Sequence, residues 1–208
     1  MKNNRDKNIA NAISHLTAIE PAFYNIVAQY GIPEIPTRPQ TFQTLLLLIL
    51  EQQVSVDSAK ATFVRLQNMI ENLDPEKILA TDDTDFRACG VSRQKTLYIK
   101  CLATAIIERT LDLELLASQT AIEVRENLIK IKGIGNWTID VYLMFALQSP
   151  DILPLGDVAI ATTFKELFDI TDRQQMDDYA QRWKPFRSMA TFLLWHYYLR
   201  KRNRTITY

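Results

Sequence analysis

The chain has 208 residues, 47% of them apolar, with 24 basic and 24 acidic side chains and a formal net charge of zero. That length carries one compact unit or two small lobes with a shared core. Neutrality excludes bulk electrostatic coating of a nucleic acid, so any DNA contact has to be local, with a shallow salt dependence. The five glycines, and the lack of alternating apolar runs with hairpin turns, favour helix over sheet. Two cysteines, Cys89 and Cys101, cannot on their own build a four-ligand metal or cluster site, and they fit a reduced compartment. The opening MKNNRDKN has no apolar signal-peptide core, and the apolar runs Leu45 to Leu50 and Val141 to Leu147 are far too short to span a bilayer. A cytoplasmic location is the expectation.

In chain order, Ile9, Ile13, Leu16, Phe23, Val27 and Tyr30 recur at helical spacing and predict one helix from about Arg5 to Tyr30, ended by Gly31. A stiff connector with Pro33, Pro36 and Pro39 follows. The segment from about Thr41 to Gln53 is apolar nearly all round and reads as a buried helix. Ser55 can cap a helix with Ala59, Phe63, Leu66, Ile70 and Leu73 on one face, and Asp74-Pro75 opens a short one. Gly90 ends a turn, Ser92 can cap a helix from Arg93 to Arg109, and Thr120 with Glu123 reads as a capping box for a helix ending near Lys130. Helix resumes from Asn136 to Leu147. Further helices are predicted from Asp157 to about Phe168, from Gln174 to Trp183, and from Pro185 into the basic tail Arg200, Lys201, Arg202, Arg204. The last helix carries two apolar seams, Phe186, Ala190, Leu193, Tyr197 and Phe192, Trp195, Leu199, which suggests a helix wedged between lobes.

The segment LIKIKGIGNWTIDVYLMFAL, Leu128 to Leu147, is helix, Gly-x-Gly, helix. Two glycines one residue apart allow a tight turn at positive φ. The backbone N–H groups of Gly133, Gly135 and the next helix's first turn can then hold a phosphate, with Lys130 and Lys132 adding charge. An ordinary helix–helix turn has the same pattern, so Gly-x-Gly alone leaves both readings open.

The string KGIGNWT resembles the hairpin of the helix-hairpin-helix (HhH-GPD) glycosylase superfamily. Three further strings are similar to the 3-methyladenine DNA glycosylase II branch: LEQQVSVDSAKA from Leu50, ILPLGD from Ile152 and WKPFRSMATFLLW from Trp183. Their order and separation agree with that family from about residue 10 to 200. The resemblance implies an all-α, two-lobed fold with the active-site cleft between lobes. One lobe would span about residues 40–148, and the other would combine residues 1–39 with 149–208. It implies a monofunctional hydrolase acting on alkylated bases in double-stranded DNA, a monomer that needs no cofactor.

Asp157 stands where that family carries its catalytic aspartate. Spacing alone reads it as a cap for the following helix. Asp140 reads as a surface or cap-region charge. Relatives that also cut the strand place a lysine two residues after the second hairpin glycine, for Schiff-base chemistry. Here that position is Trp137, so hydrolysis alone is implied, and Lys132 lies before the glycines. Trp195 matches a family tryptophan of the base pocket. Trp137 and Tyr142 are further candidates for stacking on a cationic base, each against a plain core reading. Gln53 falls where the family inserts a side chain into the gap left by a flipped base; a helix-end polar residue is its other reading.

Lys132, Gly133, Ile134, Gly135, Asn136 and Thr138 are the expected DNA contacts. A monovalent cation, which the family hairpin often binds, would use the backbone carbonyls of Ile129, Ile131 and Ile134, with no side-chain ligand. Trp183 reads as structural beside Pro185, and Arg187 as a buried arginine pairing a carboxylate. The family often carries basic residues just after its aspartate, whereas here Ala159, Ala161 and Thr162 stand there. A glycosylase for oxidised or deaminated bases, and a non-catalytic hairpin DNA-binding module, stay open as alternatives.

Overall fold

Local side-chain caps set where most helices begin in the computed structural model, which describes residues 2–204, with side chains from residue 6 onward. The elements are α1 (Lys2–Ile19), α2 (Pro21–Tyr30), α3 (Phe42–Glu51), α4 (Val56–Met69), α5 (Pro75–Ala80), α6 (Asp83–Ala88) and α7 (Arg93–Ile107). They continue with α8 (Leu113–Leu116), α9 (Ala121–Leu128), α10 (Asn136–Phe145), α11 (Val158–Phe168), α12 (Arg173–Ala180), a 3-10 turn (Gln181–Trp183) and α13 (Arg187–Lys201). Among the described residues there is no strand, and no helix is long and apolar enough to cross a membrane.

Thr41, Ser55, Asp74 and Ser92 each accept the backbone N–H three residues on, satisfying one orphan donor of the first turn. Thr120 and Glu123 form the reciprocal capping box at α9. The single N-terminal helix expected from Arg5 to Tyr30 is in fact two. Pro21 starts α2 at its first position, and Glu20 before it is extended (φ −132°, ψ 104°). A proline ring pushes the preceding residue out of the helical region, so the apolar spacing continues while the helix does not.

The chain divides into two compact units. Met1–Pro36 with Gln148–Tyr208 form the first, where α13 packs on α1, α2 and α11. Its core centres on fully buried Trp183, whose ring lies 4.9 Å from Phe23, 5.4 Å from Phe164 and 5.7 Å from both Phe168 and Tyr179. Arg187, at the start of α13, makes a two-pronged contact with Asp151 (Nε–Oδ1 2.8 Å, Nη2–Oδ2 2.9 Å), fixing the segment that leads to α11.

Thr37–Leu147 form the second unit, where α3 packs on α4, α7 and α10. Leu45, Leu46, Leu48 and Ile49 are completely buried there. At the end of this apolar helix Glu51 is buried too, and Arg38 meets it with two hydrogen bonds of 2.9 and 2.7 Å. A carboxylate that far from water stands only with such a partner.

Candidate functional site

The first unit carries the candidate carboxylate. Pro154 accepts the Asp157 amide (2.9 Å), a turn that delivers Asp157 to the N-cap of α11. Its Oδ1 accepts from Ala159 N (2.9 Å) and Ile160 N (3.1 Å). A third donor comes from 38 positions away: Trp195 Nε1 on α13 donates to the same oxygen at 3.1 Å. The cap and the functional reading are therefore the same side chain. Three N–H groups and the positive end of α11 hold one half-buried carboxylate in one orientation. Trp195 is also half-buried, its ring edge-on to Phe192 with centroids 5.8 Å apart. The residues after Asp157 add no cation: Val158 is exposed, and Ala159, Ile160 and Ala161 follow.

A cavity of about 420 Å³ opens in the same unit, lined by Glu20, Phe168, Tyr179 and Tyr197 among others. It sits at the C-terminal end of α11, roughly 16 Å of helix from Asp157 at 1.5 Å rise per residue. Neither Asp157 nor Trp195 lines it.

The second unit carries the hairpin. Gly133 takes φ +95°, and a Cβ there would sit 2.0–2.5 Å from the Tyr98 side chain on α7. Glycine is required both by the dihedral and by the approach of α7. Ile134 N donates to Ile131 O (3.0 Å), closing the turn, and Gly135 follows as N-cap of α10 (φ −104°, ψ 177°). Gly135 has no side chain with which to cap, and around it is open space. The first-turn amides of α10 thus start behind a bare backbone, the arrangement that accepts a phosphate. Lys132 and Asn136 are exposed beside it, and Asn136 Oδ1 accepts from Arg125 Nη1 at 2.9 Å.

Gln53, just beyond α3, is exposed and left-handed (φ 58°). A non-glycine residue held there is uncommon and points to a turn fixed from outside. Its neighbour Gln52 reaches the hairpin, Nε2 donating to Gly133 O (2.8 Å) and to Thr138 Oγ1 (3.0 Å).

The geometry corrects three expectations from sequence. Thr138 is 1% exposed and its hydroxyl serves Gln52, so its side chain faces inward and offers DNA no contact. Tyr142 is 0% exposed, with no face open to a base. Burial pushes its phenol pKa up to about 12, and its hydroxyl has no hydrogen-bond partner. Asp140 is not a surface charge. It is buried against the Arg125 guanidinium; burial raises its pKa and Arg125 opposes the rise. Ile134 is buried as a side chain, leaving only its backbone for contact. Trp137 is half-buried. Among the described residues no group of three or more His, Cys, Asp or Glu side chains could hold a metal ion.

A family model described as HhH-GPD superfamily base excision DNA repair protein matches residues 46–188. The alkylbase DNA glycosidase-like protein mag2 of Schizosaccharomyces pombe is 25% identical over 204 residues, covering 92% of this chain and 94% of that one. The structure of the 3-methyladenine DNA glycosylase Mag1 of the same yeast, in complex with abasic DNA, aligns with a TM-score of 0.80 at 27% identity. That alignment covers 89% of this chain and 95% of Mag1. A DNA-3-methyladenine glycosidase from Bacillus halodurans aligns with a TM-score of 0.77 at 30% identity, covering 90% of this chain and 88% of that one.

Proposed function

Because the chain belongs to the HhH-GPD superfamily of base excision DNA repair proteins, we propose that it is a monofunctional DNA glycosylase. It hydrolyses the N-glycosidic bond of alkylated purines of the 3-methyladenine and 7-methylguanine type in double-stranded DNA. The observation that carries this reading is the Asp157–Trp195 pair: an oriented carboxylate with an indole bound to it, at a helix start.

Cleavage leaves positive charge on the deoxyribose ring as the base departs. A carboxylate about 4 Å away, at an effective dielectric near 20, stabilises that charge by roughly 4 kcal/mol, about 10³ in rate. Methylation at purine N3 or N7 already makes the base a cation. It leaves neutral, carrying the bonding electrons, and no strong general acid is needed. Water then adds to C1′ and gives its proton to solvent or to the carboxylate, which orients it. The indole face of Trp195 favours a cationic base over a neutral one by about 0.5–2 kcal/mol.

The amides at Gly133, Gly135 and Asn136, with Lys132 beside them, hold the backbone of the strand. Gln53 fills the space left by the flipped nucleotide. A monovalent cation would sit on the carbonyls of Ile129, Ile131 and Ile134; Ile131 already accepts the Ile134 amide and keeps a second lone pair for it. The protein acts as a monomer, and its location is cytoplasmic, with the nucleoid its place if the source is bacterial.

No amine stands two residues past Gly135. An indole nitrogen forms no Schiff base, so the product is an abasic site in an unbroken strand. Incubation with methylated DNA is expected to release 3-methyladenine and 7-methylguanine, with strand breaks appearing only after alkaline heating. Borohydride should trap no covalent adduct. Absence of base release sinks the glycosylase reading, and a stable adduct sinks its monofunctional part.

A further inference from the structure

The turn between α3 and α4 is held from two sides by groups that no cap or packing requirement of its own supplies. From α7, Lys95 Nζ donates to Leu50 O (2.7 Å) and to Gln52 O (2.8 Å). Those carbonyls lie at the C-terminal end of α3, where the last carbonyls lack helical partners and the helix dipole is negative. Lys95 is thus a cap supplied by another helix. Burial lowers its pKa, the cost of drawing the ammonium out of water. From the same residue whose carbonyl Lys95 grips, the Gln52 side chain bridges to Gly133 O and Thr138 Oγ1. Gln53 follows at once, left-handed and exposed.

We infer that Gln52 and Lys95 are positioning residues that lock the Gln53 turn to the hairpin, so that the inserted side chain and the phosphate grip meet the strand in one fixed register. This rests on the glycosylase reading above, since it needs Gln53 to enter a lesion. The physical reason is that an αL residue on an exposed turn has no register of its own; its neighbours must supply it. Gln52 ties the turn to residues 81 and 86 positions on, and Lys95 ties it to α7, 43 positions on. Without the bridge Gln53 still exists but samples directions, and the entropy of fixing it is charged against lesion binding.

The test is a cycle of Gln52→Ala, Gln53→Ala and the double variant, with Lys95→Met and Lys95→Arg alongside. Each is measured for affinity to a duplex with an abasic analogue and to the same duplex undamaged. 2-Aminopurine fluorescence beside the lesion reports whether the gap is filled, a signal that loss of fold stability alone does not move. Gln52→Ala is expected to lower abasic-site affinity about tenfold and the fluorescence change with it, leaving undamaged-duplex affinity within about twofold. Adding Gln52→Ala to Gln53→Ala should cost nothing further. Lys95→Arg, which keeps the donors, should retain most of what Lys95→Met loses. Equal losses on both duplexes, or losses that multiply in the double variant, overturn the inference. If the wild-type chain prefers the abasic duplex and Gln52→Ala behaves like it, the inference alone falls. If the wild type shows no preference, the glycosylase reading falls and takes the inference with it.

Discussion

Asp157→Asn is expected to slow base release from methylated DNA by about 10²–10³-fold while lowering the melting temperature by no more than about 2–4 °C. The geometry makes this an unusually clean exchange. Oδ1 of an asparagine accepts the Ala159 and Ile160 amides and the Trp195 indole N–H as the carboxylate oxygen does. Asn is also as good an N-cap as Asp. What disappears is the charge, which contributes about 0.3–1 kcal/mol to the helix and, in the proposed chemistry, several kcal/mol to the transition state. Asp157→Ala separates the two roles from the other direction. It forfeits the cap, about 1 kcal/mol, together with the charge. The two variants should therefore match in activity and differ in melting. If Asp157→Asn retains wild-type turnover, Asp157 is a helix cap and nothing more, and the Trp195 contact is structural.

That overlap of roles explains what the sequence could and could not reveal. Capping is a transaction within three or four residues, so Ser55, Asp74, Ser92 and the Thr120–Glu123 pair could be read directly and start helices where the structure has them. The short helices α6 and α8, six and four residues, are too brief to show an apolar period and go unassigned from sequence. The facing of residues on α10 was beyond reach for a different reason. Every residue from Thr138 to Phe145 is buried, so no polar stripe marks an outward side, and Thr138 and Tyr142 could be assigned to a surface they do not have. Lys95 and Gln52 carry no local signal at all, because their partners lie 43 to 86 positions away. Asp157 became legible through resemblance; its spacing said only that it caps.

Gly133→Ala is expected to destabilise the protein by roughly 3 kcal/mol or more, a fall of about 6–12 °C in melting temperature, and to abolish hairpin-dependent DNA binding. Two independent penalties combine. The dihedral φ +95° is strained for any residue with a Cβ, and that Cβ would lie 2.0 Å from Tyr98 Cγ and 2.4 Å from Tyr98 Cβ. Turning Tyr98 to another rotamer moves Cγ but not Cβ, so α7 or the turn itself must shift, and Tyr98→Ala cannot rescue the variant. Gly135→Ala is the control. Its φ of −104° is ordinary for alanine, and no atom beyond its chain neighbours lies within 4 Å of the added methyl. Alanine is a poorer N-cap than glycine, so a loss below about 1 kcal/mol is expected. The methyl instead occupies open space in front of the α10 amides, where a phosphate would come. DNA affinity should therefore fall about tenfold in a protein that melts nearly as wild type does. Were Gly133→Ala to melt with the wild type, the α7 contact would not constrain the turn. Were Gly135→Ala to bind DNA unchanged, the phosphate would have to sit elsewhere than on these amides.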